Sequence, residues 1–297
     1  MDNISGTPLT ESMVHQINRL DELKKHLDKY RPLSEADVAA LEQDKRIEHV
    51  WSSNAIEGST LTKFETRSII SAGVTVNKAS VKDTLAAIDL NDAYDYMMDL
   101  AATKQPLTET IIRDLNRIAT TGEARTTNKG INPGVYRVSG AYPSGYEEFP
   151  YVEPFDIEPQ MADLISWSKV AQRKEHPVIY AADLHRRFVS IHPFTDGNGR
   201  TARLLMNFAL TQDGFPVINV QPDGPHRTEY MEALHHARTT DDENPFRQLV
   251  MRYVDKELHD RERVLKLNEK NHQDAERQIS PQMRRKLKQQ QNRDLER

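Results

Sequence analysis

Cysteine is absent from the 297 residues, which excludes disulfide staples, thiolate metal sites and a cysteine nucleophile. No stretch approaches the roughly 20 consecutive apolar residues that a bilayer-crossing helix needs, so a membrane-spanning role is excluded as well. Aromatic residues are sparse at 7%, while hydrophobic residues reach 37% and charged residues 29%. That balance permits a buried core without long apolar runs. The opening segment, MDNISGTPLTESMVHQ, has neither a basic nor an apolar region of the kind a secretion signal carries, and a cytoplasmic setting is expected. Net charge is -5 at pH 7, which argues against a general nucleic-acid binder. The charge is uneven, because residues 261–297 hold 11 Lys and Arg against 6 Asp and Glu. Past about residue 268 the chain is polar and Gln/Arg-rich, and it reads as a frayed helix or a solvated tail.

The apolar spacing is helical almost throughout. Ser34 and Asp37 mark a helix start, Val38, Leu41, Ile47, Val50 and Trp51 follow at near-helical intervals, and Glu57-Gly58 supplies a C-terminal stop. Thr62 and Glu65 have the capping-box spacing ahead of Phe64, Ile69 and Ile70, with Gly73 as the terminator. Further helices are expected at about 80–102, through Leu85 and Ile88, at 107–120, and then at 158–171, 178–191, 199–212, 227–238 and 245–265. The stretch 122–159 breaks this pattern with five Gly and five Pro, leaving Val135, Tyr136 and Val138 for one strand or hairpin. Three regions follow: residues 1–61, a core over 62–255, and a basic polar end over 256–297.

One segment concentrates chemistry: His192-Pro193-Phe194-Thr195-Asp196-Gly197-Asn198-Gly199-Arg200-Thr201-Ala202-Arg203. It lies between two apolar-periodic runs and therefore reads as a loop feeding the start of a helix. Glycines there let backbone N–H groups converge, and the helix N-terminus adds its positive end, which favours phosphate oxygens. Arg200 and Arg203 stand three residues apart, so both guanidinium groups fall near one face, as a polyphosphate requires. Asp196 beside such a cradle repels phosphate unless a cation such as Mg²⁺ lies between them. His192 is a side chain able to take a proton near neutral pH. Singly, a histidine cap, an Asp-Gly-Asn-Gly turn and two solvated arginines are ordinary features; together they point to a site. The Walker A and dinucleotide-binding patterns are absent.

These residues resemble the signature H-x-F-x-[D/E]-G-N-G-R-x-x-R of the Fic family, with every fixed position matched. The resemblance extends over about residues 50–250, where Gly134-Val135-Tyr136-Arg137 is similar to the segment before the family's flap and Arg227 through Leu234 to its nucleotide-side helix. It implies an all-α, mainly helical Fic fold with a small β-hairpin flap, and a protein adenylyltransferase that moves AMP from ATP to a Ser, Thr or Tyr hydroxyl of a protein. By the same resemblance His192 is the base, Asp196 holds Mg²⁺, Gly197, Asn198, Gly199 and Arg200 cradle the phosphates, and Arg203 reaches the γ-phosphate. Phe194 anchors the loop, and Tyr230 is a candidate beside the adenine. Gly199, where kinase-like relatives typically carry Lys, favours nucleotidyl over phosphoryl transfer.

Ser53-Asn54-Ala55-Ile56-Glu57-Gly58 matches the family's inhibitory pattern [S/T]-x-x-x-E-[G/N]. The resemblance implies that Glu57 pairs with Arg203 and blocks the seat of the γ-phosphate, with Ser53 one turn away on the same side. Removal of AMP, transfer of another nucleotide, and a nucleotide-binding regulator without turnover remain alternatives. The expected partner is a protein with an accessible hydroxyl, with self-modification and a homodimer left open, and nucleic acid is not expected. The segment 139–152 is a candidate for pairing with an extended target strand.

Overall fold

Helix boundaries follow local chemistry closely. In the computed structural model, Thr62 caps the helix Lys63–Ala72 and accepts from the Glu65 N–H while the Glu65 side chain reaches back to the Thr62 N–H; Gly73, at φ 62°, ends it. The structure describes residues 6–27, 29, 35–74, 76–127, 130–240, 242–278, 280, 282 and 283. Ser34 lies outside them, as do the side chains of Asp37 and Val38 and the basic residues beyond 283. The described residues form ten α-helices: α1 (Glu11–Leu27), α2 (Glu35–Ile56), α3 (Lys63–Ala72), α4 (Val81–Ala102), α5 (Glu109–Thr126), α6 (Ile157–Lys174), α7 (Pro177–Ile191), α8 (Asn198–Gln212), α9 (Gly224–Thr239) and α10 (Asn244–Gln278). None of them is long and apolar enough to cross a membrane.

The architecture is all-α, as expected, and α8 is its axis. Helices α4, α5 and α7 pack around α8, α6 and α10 cover α7, and α1 lies along α10. Leu204, Leu205, Phe208 and Leu210 of α8 are at most 1% exposed, each stabilising the fold by about 1.5–3 kcal/mol. A helix surrounded on all sides should be apolar all round, yet Arg200, Arg203 and Asn207 of α8 are also buried. Polar side chains held there must be paired, and their partners define the site described below.

Three expectations need correction. Helix α5 does not stop before residue 122 but runs to Thr126, with Gly122 packed against α4: a Cβ there would meet Asp89 and Leu85. The Gly122 N–H donates to Asp89 Oδ2 at 2.5 Å. Of the two readings of the chain past residue 268, the helix is the one observed, as far as Gln278. Phe64 and Ile88, placed on apolar stripes by their spacing, are 76% and 40% exposed. Finally, residues 133–153 carry one isolated antiparallel bridge, Tyr136 to Phe194, instead of a formed hairpin. Pro143 and Pro150 offer no N–H to a ladder, and turns bonded from Tyr146 N–H to the Pro143 carbonyl and from Phe149 N–H to the Tyr146 carbonyl take up local donors.

Candidate active site

The loop from His192 to Gly197 is held from four directions. His192 closes α7 in the left-handed conformation, φ 52° and ψ 57°, with its N–H bonded to the Phe188 carbonyl. Phe194 is 1% exposed, and Asn198 clasps its backbone, donating from Nδ2 to its carbonyl at 2.7 Å and accepting from its N–H at 3.0 Å. Asn116 of α5 donates to the Asp196 carbonyl at 2.9 Å and accepts from the Gly134 N–H at 3.0 Å. Gly197 caps α8 at φ 78°, and a Cβ on it would run into Thr120 and Asn116. Glycine is therefore required there on two grounds, conformation and space.

Arg137 ties the flap to this loop. Its N–H donates to the Pro193 carbonyl at 2.9 Å, Nε to the His192 carbonyl at 2.8 Å, and the guanidinium to the Ser139 and Val152 carbonyls. The flap then closes on the base: the Tyr151 ring stacks on the His192 imidazole with centroids 3.9 Å apart. Arg238 of α9 lies 4.9 Å over Tyr151 and donates to the Phe149 carbonyl at 2.7 Å. Burial first, and the Arg137 charge second, push the His192 pKa down to about 4.

The two arginines face different spaces. Arg200 donates to the Ala119 carbonyl at 3.1 Å, to Glu123 Oε2 at 2.7 Å and to Asp196 Oδ1 at 3.1 Å. It lines a cavity of about 230 Å³ together with Asn54, Ser59, Lys82 and Asp196. Arg203 donates from Nε to Ser53 Oγ at 2.7 Å and from Nη2 to the Ser53 carbonyl at 2.9 Å and Glu57 Oε1 at 2.7 Å. It lines a second cavity, of about 460 Å³, with His192, Tyr151, Met231 and His235. Glu57 lines both cavities and stands as the partition between them.

Glu57 itself is 40% exposed at the side chain. Partial desolvation opposes its ionisation, but the charge and hydrogen bond of Arg203 outweigh this and hold its carboxyl below the ordinary value. A Cβ added to Gly199 would collide with Glu57 Oε1, so the carboxylate occupies the space that a side chain at 199 would fill. Arg227 of α9 donates to the Ile56 carbonyl at 3.1 Å and fastens the end of α2 in this place.

Most of the expected site residues thus meet around one divided cavity. Tyr230 lines the larger cavity. It is 2% exposed, packs on Phe246, and its hydroxyl lies 2.8 Å from His185 Nε2 and 3.4 Å from Arg203 Nη1, so it braces the arginine. The Arg200 guanidinium is similarly committed to Glu123, whose carboxyl, although desolvated, is held below its usual value by the Arg200 charge. Asn116, Glu123 and Arg238 carry no signal in sequence, since each acts through a partner distant along the chain; Arg227 and Tyr151 are marked there only as parts of longer segments. Among the described residues no group of three or more His, Asp or Glu side chains could hold a metal ion by itself.

The Fic/DOC family profile matches residues 106–210. Protein adenylyltransferase Fic of Nematostella vectensis is 33% identical over 214 residues, which cover 71% of this chain and 47% of that protein. The corresponding protein of Culex quinquefasciatus is 32% identical over 235 residues, covering 76% and 43%. This chain therefore spans under half the length of these curated relatives. Among solved structures, Fic-1 (residues 134–508) of C. elegans superposes with a TM-score of 0.75 at 24% identity, over 86% of this chain and 73% of that one, and supports the fold. A Fic domain containing signaling protein from Bacteroides thetaiotaomicron superposes with a TM-score of 0.75 at 30% identity, over 84% of this chain and 97% of that one. A relative matched nearly end to end, and a family profile laid across the His192 to Arg203 loop, establish that this chain belongs to the Fic/DOC family.

Proposed function

We propose that this chain is a protein adenylyltransferase that moves AMP from ATP onto a Ser, Thr or Tyr hydroxyl of a protein and is restrained by its own Glu57. The observation that carries the reading is a carboxylate in an anion cradle: Glu57 Oε1 sits 2.7 Å from Arg203 Nη2, above Gly199 at the start of α8. A helix N-terminus flanked by arginine favours an anion, and Glu57 fills that seat from within. Withdrawal of Glu57 joins the cavity beside His192 to the one beside Asp196 and Arg200, giving a polyphosphate a continuous path.

The hydroxyl oxygen attacks the α-phosphorus in line, the bond to the pyrophosphate oxygen breaks, and His192 takes the hydroxyl proton. A depressed pKa keeps the imidazole neutral, and so unprotonated, at neutral pH. Arg203 compensates charge on the terminal phosphate, and Arg200, braced by Glu123, does so deeper in the path. Asp196 fits Mg²⁺ of the kind that takes one protein carboxylate and completes its shell with phosphate oxygens and water: its side chain is 26% exposed and borders the smaller cavity. Such an ion, when bound, neutralises phosphate charge. Relatives named as adenylyltransferases support the same reading.

The test uses Glu57→Gly protein with Mg²⁺ and ATP labelled at either the α- or the γ-phosphate, alone and in cell lysate. The expected result is α-label on protein, no γ-label on protein, and neither with Glu57→Gly/His192→Ala. Retention of γ-label, no transfer at all, or transfer that survives His192→Ala overturns the assignment.

A further inference from the structure

Three of the four hydrogen bonds that the Arg203 guanidinium donates go to α2: one to the Ser53 hydroxyl, one to the Ser53 carbonyl and one to Glu57. The fourth goes to Tyr230 of α9, whose oxygen lies 3.4 Å from Nη1. Loss of Glu57 alone leaves Arg203 its Ser53 and Tyr230 bonds, whereas a movement of α2 as a whole loosens the Ser53 bonds too. Tyr230 is the holder that does not travel with α2.

Tyr230 is in turn fixed by a residue with no other evident task. His185, on α7, is fully buried, its Nε2 is 2.8 Å from the Tyr230 hydroxyl, and its Nδ1 has no hydrogen-bond partner. Phe246 stacks on the imidazole at 5.1 Å and leaves it little freedom to turn. Burial, and then the nearby Arg203 charge, hold the His185 pKa far below 6.5, so the ring is neutral and Nε2 is able to accept. With the phenol proton directed to Nε2, the phenol oxygen presents lone pairs to Arg203. His185 also lies seven residues before His192, which closes the same helix. One helix thus carries the base at its end and the brace of the phosphate-side arginine in its middle.

We propose that His185 is a positioning residue that acts through Tyr230 to keep the Arg203 guanidinium aimed at the terminal phosphate of the donor after Glu57 withdraws. The inference rests on the adenylyltransferase reading for the identity of the donor. Its signature is selectivity for ATP over ADP, because ADP lacks the phosphate that Arg203 addresses.

The experiment measures ATP and ADP affinities by calorimetry with Mg²⁺ in Glu57→Gly protein and in the same background with Tyr230→Phe, His185→Leu or His185→Gln. Tyr230→Phe is expected to weaken ATP about tenfold, the value of one hydrogen bond to a charged group, with ADP affinity unchanged. His185→Leu should do the same, and His185→Gln, whose amide oxygen accepts from the phenol, should recover most of the loss. Unchanged ATP affinity in Tyr230→Phe overturns the inference, as does an equal loss for ATP and ADP or an equal effect of Leu and Gln at 185. Tyr230→Phe keeps the ring and decides the matter even where His185→Leu does not fold. Binding needs no turnover, so this failure is separable from failure of the parent to transfer AMP; a parent that binds neither nucleotide overturns both readings.

Discussion

Glu57 Oε1 lies 2.7 Å from Arg203 Nη2, joining residues 146 positions apart in the chain. The pair is exposed on the Glu57 side and buried on the Arg203 side, so breaking it leaves Arg203 with its Ser53 and Tyr230 bonds intact. Glu57→Gly is therefore expected to leave thermal stability within about 1 kcal/mol of wild type, which a melting curve checks.

Gly199→Ala gives the opposite result to Glu57→Gly at the same place. Its Cβ would meet Glu57 Oε1 first and the Arg203 guanidinium next. The ion pair is expected to break, but the new methyl narrows the cradle it vacates. Transfer assays should find Gly199→Ala inactive both alone and combined with Glu57→Gly; gain of activity by Gly199→Ala would show that the cradle tolerates a side chain.

The Glu57 restraint should not respond to pH in the physiological range. A carboxyl held below its usual value stabilises the pair above the unfolded pKa, and the contribution is lost only as pH falls through the lower, folded value. The ratio of Glu57→Gly to wild-type rates is expected to be flat from about pH 6 to about pH 9. Relief of inhibition near pH 6 would point to a histidine in the restraint.

His49 affects stability with the same sign, in a higher pH window. Burial leads its pKa down to about 4, helped by Arg203 and opposed by its bond to Asn219. The unfolded chain takes up a proton below about pH 6.5 while the folded one does not until about 4. Stability conferred by the neutral ring is full above 6.5 and declines across that window, by about 1.4 kcal/mol per pH unit. Denaturant unfolding of wild type against His49→Asn should show the difference shrinking as pH falls.

Asn198→Ala removes both bonds that clasp the Phe194 backbone, leaving a buried N–H and carbonyl without partners. A loss of about 2–3 kcal/mol is expected, with a fall in kcat greater than the change in ATP affinity, because the loop carries His192. Chemical denaturation and steady-state kinetics on the Glu57→Gly background separate the two effects.

Local signals made much of this legible in sequence. The Thr62 and Glu65 capping box, the helix stripe of α5 and the loop from His192 to Arg203 are written in adjacent residues, and the structure places them where that spacing predicts. The flap was not legible, because its order comes from Arg137, Arg238 and a stack on His192 in place of its own strand pairing. Arg200 and Arg203 share a helix turn, but only the long-range partners Glu123 and Ser53 decide that they face separate cavities. Tyr230 illustrates the same limit: helical spacing puts it near the site, and only burial and the His185 bond show what it holds.

The most direct test of the account is the initial rate of α-label transfer from ATP by wild type and by Glu57→Gly under identical Mg²⁺ and substrate conditions. A seat filled by Glu57 predicts at least a tenfold faster rate for Glu57→Gly, the effect of freeing about 1.4 kcal/mol of phosphate binding. Equal rates, or a slower rate in Glu57→Gly, would contradict the assignment of Glu57 as the restraint.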